Sequence, residues 1–408
     1  SQGKTSFRPL HTRRTRKRRK MNDETMTRET GARERLIELL RIALTSDAPR
    51  GETPPRGEYP AFPPLSEKEE ERLYRIAKEQ DLAHLILPSA EQAGIIVPSP
   101  YQEKYQKQTF LALYRDERMT HTLARVCDAL SAAKIAHIPL KGAVVRALYP
   151  ASWQRTSCDL DILVHEEELD AAVAALEAVG FRCGKRIFHD VHMTTDDGFL
   201  LELHFSLAED SPTLDPVLAR VWEHSAPESE GSYCYRMTPS FFLFHLLAHM
   251  SYHFAAGGCG VRPFMDIYLY RRAVEADREE LSALLSEASL TKFADGAFRL
   301  SEVWFSDAPA DDLCRDMESF LFGGGVYGTK QQSMAVKRAK KGGRVAFVFR
   351  RLFPPLRTLA LRYPTLKKCP FLLPFFWVRR WLETLFGKEA RRRNLHLLKI
   401  MNDVDGET

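Results

Sequence analysis

Asp159 and Asp161 sit in the apolar run Cys158-Asp159-Leu160-Asp161-Ile162-Leu163-Val164. In a β-strand successive side chains alternate faces, so the two aspartates share one face and Leu160 and Ile162 the other. Two carboxylates held side by side repel, and burying them is costly. Either the strand end is solvated or a cation relieves the pair. A third carboxylate, Glu202 in "FLLELHF", alternates with Leu201 and Leu203 and shares its face with His204. Three carboxylates on adjacent strands can hold a pair of Mg²⁺ ions, which prefer carboxylate, water and phosphate oxygens. Such a pair suits in-line displacement at phosphorus. Upstream, Lys141-Gly142-Ala143 falls where a strand gives way to a helix. Glycine there lets the backbone approach phosphate oxygens, and the helix start favours an anion.

Other residues compete for roles. Asp196 and Asp197 are acids too, but they lie in a turn, where such residues are usually structural. Ser157 either contacts a phosphate or caps a turn. His204 either orients a carboxylate, contacts a base or is a satisfied core histidine. His245, His249 and His253 recur every four residues and line one helical face. Zinc there lacks an H-E-x-x-H pattern or a cysteine partner, and a phosphohydrolase ligand set cannot be assembled from these spacings. One or two of the three are expected to face the cleft, the rest to be core or surface. Asp266 in "RPFMDI" is expected to pair with Arg262 or a histidine.

The elements that must position these residues follow from periodicity. "ARERLIELLRIAL" repeats apolar residues at helical spacing, and a Pro/Gly-rich loop follows it. Ser66 with Glu69 has capping-box spacing ahead of the next helix. "YQEKYQKQTFLALYRDERMTHTLARVCDALSAA" reads as one long helix or two. From Ile135 the texture changes. "IAHIPL" reads as a strand, "KGAVVRALYP" as a helix, "DLDILV" as a strand, and "HEEELDAAVAALEAVG" as a helix stopped at Gly180. "FRCGKRIFHDVHMTT" and "FLLELHFSL" read as a hairpin turned at Asp197-Gly198. After Pro216 helices return, one opened by Thr238-Pro239. The expected boundaries are a leader at 1–20, a helical region at 21–133, an α/β core at 134–209, a helical domain at 210–321, and a linker with a basic aromatic segment at 322–408.

"PLKGAVVRALYPASWQRTSCDLDILV", with a later "GF" and "LELHF", resembles the uncharacterised nucleotidyltransferase family of the DNA polymerase β-like superfamily. The resemblance spans roughly 120–290, including "HLLAHMSYH" and "RPFMDI". It departs from the superfamily's usual G-S or G-G in having Gly142-Ala143, and the gap from Gly142 to Asp159 is long. The resemblance implies an α+β fold, a small mixed-sheet nucleotidyltransferase core flanked by N- and C-terminal helical segments. It implies metal carboxylates at Asp159, Asp161 and Glu202, and nucleotide contacts at Lys141, Gly142 and Arg155, with Ser157 and His204 beside them. The activity implied is Mg²⁺-dependent transfer of an NMP group from an NTP, ATP first among them, to an unknown hydroxyl acceptor, with Mn²⁺ able to substitute. The rival reading is a catalytically inactive nucleotide-binding or scaffold protein.

The chain's 408 residues and 44% hydrophobic content suffice for two or three domains. Seven cysteines, none in a C-x-x-C pair, point to a reducing, cytoplasmic setting rather than a disulfide framework. No run reaches the roughly 18–20 apolar residues of a membrane helix. Net charge is +5, unevenly placed. Residues 1–20 carry nine Lys/Arg and no acid, and 330–393 carry eighteen against Glu383 and Glu389. Such blocks suit nucleic acid or an anionic membrane surface, or they pack on the acidic body between them. The chain has no initial Met, and Met21 or Met26 would make a natural start. Residues 1–20 therefore read as disordered or non-native sequence outside the fold.

Overall fold

The computed structural model describes residues 31–45, 64–256, 258–306, 308–324, 370–372 and 374–376. The expectations for 1–20, for the linker and for almost all of the basic segment lie outside the described residues.

The described residues fall into two compact units. The first runs to Ala112 and includes Trp304–Ser306. It contains α1 (31–44), α2 (Glu67–Glu79), α3 (Ile86–Gln92) and the first part of α4 (Ser99–Ala132). The expected capping box opens α2: the Glu69 carboxylate accepts from the Ser66 backbone N–H at 2.9 Å and from its hydroxyl at 2.6 Å. Tyr105 donates to buried Glu70 at 3.0 Å, which satisfies an otherwise costly carboxylate.

The second unit, Leu113–Val303, holds the expected α/β core. Its five strands are β1 (His137–Pro139), β2 (Asp159–Val164), β3 (Arg182–Arg186), β4 (Asp190–Thr194) and β5 (Leu200–His204), in the order β1-β2-β5-β4-β3. β2 and β5 run parallel and every other pair runs antiparallel, so the sheet is mixed. One face carries Leu160, Ile162, Val191, Met193, Leu201 and Leu203 into the core, against Val126 and Leu130 of α4 and Leu169 and Leu176 of α6 (Leu169–Ala178). The period-two pattern thus leaves the carboxylates on the opposite face. α6 ends as expected, with Gly180 at φ +94° beyond it.

Two expectations change. The segment read as one hairpin arm, "FRCGKRIFHDVHMTT", divides into β3 and β4, because a turn closes between them where Ile187 N–H donates to the Asp190 carbonyl at 2.8 Å. The helical domain expected at 210–321 also contains a two-stranded ribbon, β6 (Ser225–Pro227) and β7 (Tyr235–Met237), after the short α7 (Asp215–Leu218). Three-residue strands are too short to show alternation. The remaining helices are α8 (Pro239–Ala256), α9 (Arg262–Ala273), α10 (Arg278–Glu287), α11 (Thr291–Phe305) and α12 (Asp312–Gly324). Thr238 caps α8, its hydroxyl accepting from Phe241 N–H at 3.3 Å. Among the described residues no helix is long and apolar enough to cross a membrane.

Candidate active site

The parallel register sets Asp161 opposite Glu202 and Leu163 opposite His204. On the other side of β5, Glu202 faces His192 and His204 faces Asp190. Partners in register share a face, so Asp161, Glu202, His204, His192 and Asp190 form one polar patch on the side of the sheet away from the core. Asp159 lies two residues before Asp161 on the same face, at the start of β2.

Asp161 is the hub. Its Oδ1 receives the Lys141 ammonium at 3.2 Å and lies 2.9 Å from His204 Nε2. Burial pushes its pKa up, but Lys141 and His204 outweigh burial and hold it well below the carboxylate range. Asp159 goes the other way: burial and then the Asp161 charge raise it above its ordinary value. Glu202 is raised to about 7, first by burial and then by Asp161, Asp159 and Asp190. Its oxygens lie 3.6 Å from His192 Nε2 and 3.7 Å from His204 Nε2. Asp161, Glu202 and His204 each offer a ligand atom, all within 4.8 Å of one another. A pair of carboxylates, one compensated and the other not, is a donor set that fits a hard divalent cation.

Lys141 reaches Asp161 because the backbone there is forced. It precedes the one-turn helix α5 (Gly142–Val145) at φ 42° and ψ −112°, a region that non-glycine residues rarely adopt. The Leu140 N–H donates to the Asp161 carbonyl at 3.0 Å, tying this turn to β2. Burial lowers the Lys141 pKa, but Asp161 and Glu209 more than restore it, and the side chain is charged.

Gly142 is closely packed on the side where a Cβ would stand. A Cβ on it would lie 2.6 Å from Ser157 Oγ and 3.4 Å from Arg155 Nη1. The space the missing side chain leaves is filled by this chain's own residues. The N–H groups of Ala143, Val144 and Val145 donate to the carbonyls of Leu140 and Lys141.

Arg155 is engaged internally as well. Its guanidinium grips Asp266 of α9, with Nε to Oδ1 at 2.7 Å and Nη2 to Oδ2 at 2.8 Å. Its Nη1 donates to the Thr156 carbonyl at 2.8 Å and to Ser157 Oγ at 3.2 Å. Asp266 also accepts the Tyr149 hydroxyl at 2.7 Å. Fork pairing of this kind is strong and directional. It fixes the segment 155–157 that leads into β2. The turn acids are spoken for: Asp196 pairs with Arg182, and Asp197 with Arg118 and Thr195.

Beside the carboxylates opens a cavity of about 420 Å³. Lys141, Glu202 and His204 line one side, and His245, His249 and His253 of α8 line another. All three histidines, rather than one or two, thus face it. His249 Nδ1 donates to Glu209 at 2.8 Å. Burial, then Lys141 and neighbouring histidines, hold His245 and His249 well below the ordinary histidine pKa, so both are neutral. His245 is 2% exposed, and neither ring nitrogen makes a hydrogen bond.

Glu209, Asp190 and His192 are the residues missed from sequence. Asp190 and His192 carry a signal: they stand two apart in "HDVHMTT", opposite the two-apart pair Glu202 and His204. Glu209 carries none.

Residues 66–306 match the family model described as uncharacterised nucleotidyltransferase. Among solved structures, the antibiotic-resistance factor ANT(2'')-Ia is 14% identical with a TM-score of 0.34, covering 44% of this chain and 95% of its own. An antigenic nucleotidyltransferase-like protein from Paracoccidioides brasiliensis is 16% identical with a TM-score of 0.31, covering 48% of this chain and 96% of its own. No curated protein sequence matches significantly. The matched span takes in the whole sheet, the carboxylate patch and the histidine helix, and the chain belongs to the uncharacterised nucleotidyltransferase family.

Proposed function

We propose that this protein transfers an NMP group from an NTP to a hydroxyl acceptor, at the face of the sheet formed by Asp159, Asp161 and Glu202. The observation that carries the reading is the register pair Asp161–Glu202, with Lys141 at its edge. The carboxylates would hold Mg²⁺, or Mn²⁺ in its place. When bound, the metal ions neutralise phosphate charge and activate the attacking oxygen.

The chain's own residues do the rest. Lys141 places a fixed positive charge beside the carboxylates, where charge builds on the α-phosphate. Arg155 does not contact phosphate in this reading. It holds β2 in place through Asp266, and Gly142 allows Ser157 to pack against the Lys141 turn. The acceptor oxygen bonds to the α-phosphorus, the α–β phosphoanhydride bond breaks, pyrophosphate leaves, and the hydroxyl proton passes to water. His245, neutral and with both ring nitrogens buried, forms part of the cavity wall. ATP is the first donor to test. We place the reaction in the cytoplasm, in keeping with the free thiols of the described cysteines. Contact of 330–393 with nucleic acid or an anionic membrane rests on its charge alone.

The test is to incubate the protein with Mg²⁺, α-labelled NTPs and a cell extract, and to follow label into macromolecules and small molecules. Wild type should label an acceptor, and Asp161→Asn should not. Equal labelling by the two would refute the reading.

A further inference from the structure

Three metal-ligating side chains converge away from the carboxylate patch. Cys127 is in α4, His137 opens β1, and Cys234 precedes β7. A ligand atom from each lies within 4.8 Å of the others. The backbone brings two of them together: His137 bridges to Cys234, and its N–H donates to the Tyr233 carbonyl at 2.9 Å.

The imidazole is oriented as a ligand. His137 is fully buried, at 0% exposure. Its Nδ1 lies 3.0 Å from the Ile135 carbonyl. A carbonyl only accepts, so Nδ1 carries the proton and Nε2 a free lone pair. That Nε2 is buried, has no nitrogen or oxygen partner, and faces the Cys234 thiol. An imidazole tied through Nδ1–H to a backbone carbonyl, with its Nε2 lone pair left for the ion, is the way metal-binding histidines are commonly held.

We propose that Cys127, His137 and Cys234 bind Zn²⁺, with the fourth tetrahedral position open to water or a small anion. Thiolate and imidazole select zinc over Mg²⁺, which takes oxygen ligands, so this site and the carboxylate patch do not compete for the same ion. Binding releases the two thiol protons, and the two thiolates balance the ion's charge. The ion clamps α4, the edge strand β1 and the approach to β7. β1 leads through Leu140 into Lys141, so the clamp also steadies the strand on which the Lys141 turn is built.

The full chain, purified under reducing conditions without chelator, should carry about one zinc per molecule by elemental mass spectrometry. Co²⁺ exchanged into the wild type should show thiolate charge-transfer absorption. Cys127→Ser and Cys234→Ser should each weaken zinc at least about tenfold in competition with a chromophoric chelator, and Asp161→Asn should leave it intact. Both cysteines are partly exposed, and circular dichroism verifies that the serine variants fold; the Co²⁺ spectrum of the wild type decides the matter if they do not. Metal-free wild type, a Cys127–Cys234 disulfide in the reduced preparation, a Co²⁺ spectrum lacking thiolate bands, or zinc retained equally by both folded serine variants would overturn the proposal.

Discussion

Asp161 and Glu202 face each other across the parallel β2–β5 register, yet their carboxylates live in opposite electrostatic states. Lys141 and His204 hold Asp161 ionised against burial, whereas burial and the neighbouring acids push Glu202 to about 7. The asymmetry makes the metal-free protein sensitive to pH. The folded-state pKa of Glu202 lies above its ordinary 4.5, so its neutral form contributes stability that is full below 4.5 and lost as pH rises through about 7. His245 and His249, shifted downward, act with the opposite sign, so the test is a comparison. In EDTA, Glu202→Gln should gain melting temperature over wild type progressively between pH 4.5 and about 7. Added Mg²⁺ should raise the wild type more than the variant above pH 7. A difference flat with pH would remove the assigned strain.

The Arg155–Asp266 fork joins the start of β2 to α9 with both side chains at least nine-tenths buried. Removing one partner leaves a buried charge uncompensated. Asp266→Asn should cost about 3–5 kcal/mol in chemical denaturation. Arg155→Lys keeps the charge but loses the fork, and should also destabilise. If Arg155 instead contacted phosphate, Arg155→Lys would weaken NTP binding while leaving the unfolding midpoint unchanged.

Gly142 and Ser157 are coupled by contact. Gly142→Ala puts a Cβ where Ser157 Oγ lies at 2.6 Å, so one of them must shift. Overpacking of this kind costs about 1–3 kcal/mol. The double variant Gly142→Ala with Ser157→Gly should recover most of the loss, measured as a coupling energy in a double-mutant cycle. Additive effects would show that the glycine is needed for another reason.

Lys141 combines a strained backbone with a charged tip. Lys141→Gly and Lys141→Ala both remove the ammonium, so both should lose transfer. The glycine variant accepts φ 42° without penalty and should be more stable than the alanine variant by about 1 kcal/mol. Equal stabilities would mean the turn relaxes once the Asp161 contact is gone.

What the sequence disclosed follows the range of each signal. Period-two alternation in "DLDILV" and "LELHF" is local, and it put Asp161 and Glu202 on their faces before any fold was known. The Ser66–Glu69 and Thr238 caps are equally local. The parallel pairing that makes Asp161 and Glu202 neighbours is not local, and neither is the partner of Arg155, which lies 111 residues away. Spacing offered Asp266 Arg262 or a histidine; packing adds Arg155 and Tyr149 from far along the chain. The cluster of Cys127, His137 and Cys234 escaped for the same reason, because its ligands come from three separate elements.

The most direct measurement of the central claim places the label on different phosphates of one NTP. With Mg²⁺ and an acceptor-containing extract, label at the α-phosphate should enter product with release of pyrophosphate, label at the γ-phosphate should leave in that pyrophosphate, and both Asp161→Asn and Glu202→Gln should abolish incorporation. Transfer of the γ-label to product, or α-label incorporation undiminished in those two variants, would contradict nucleotidyl transfer at this site.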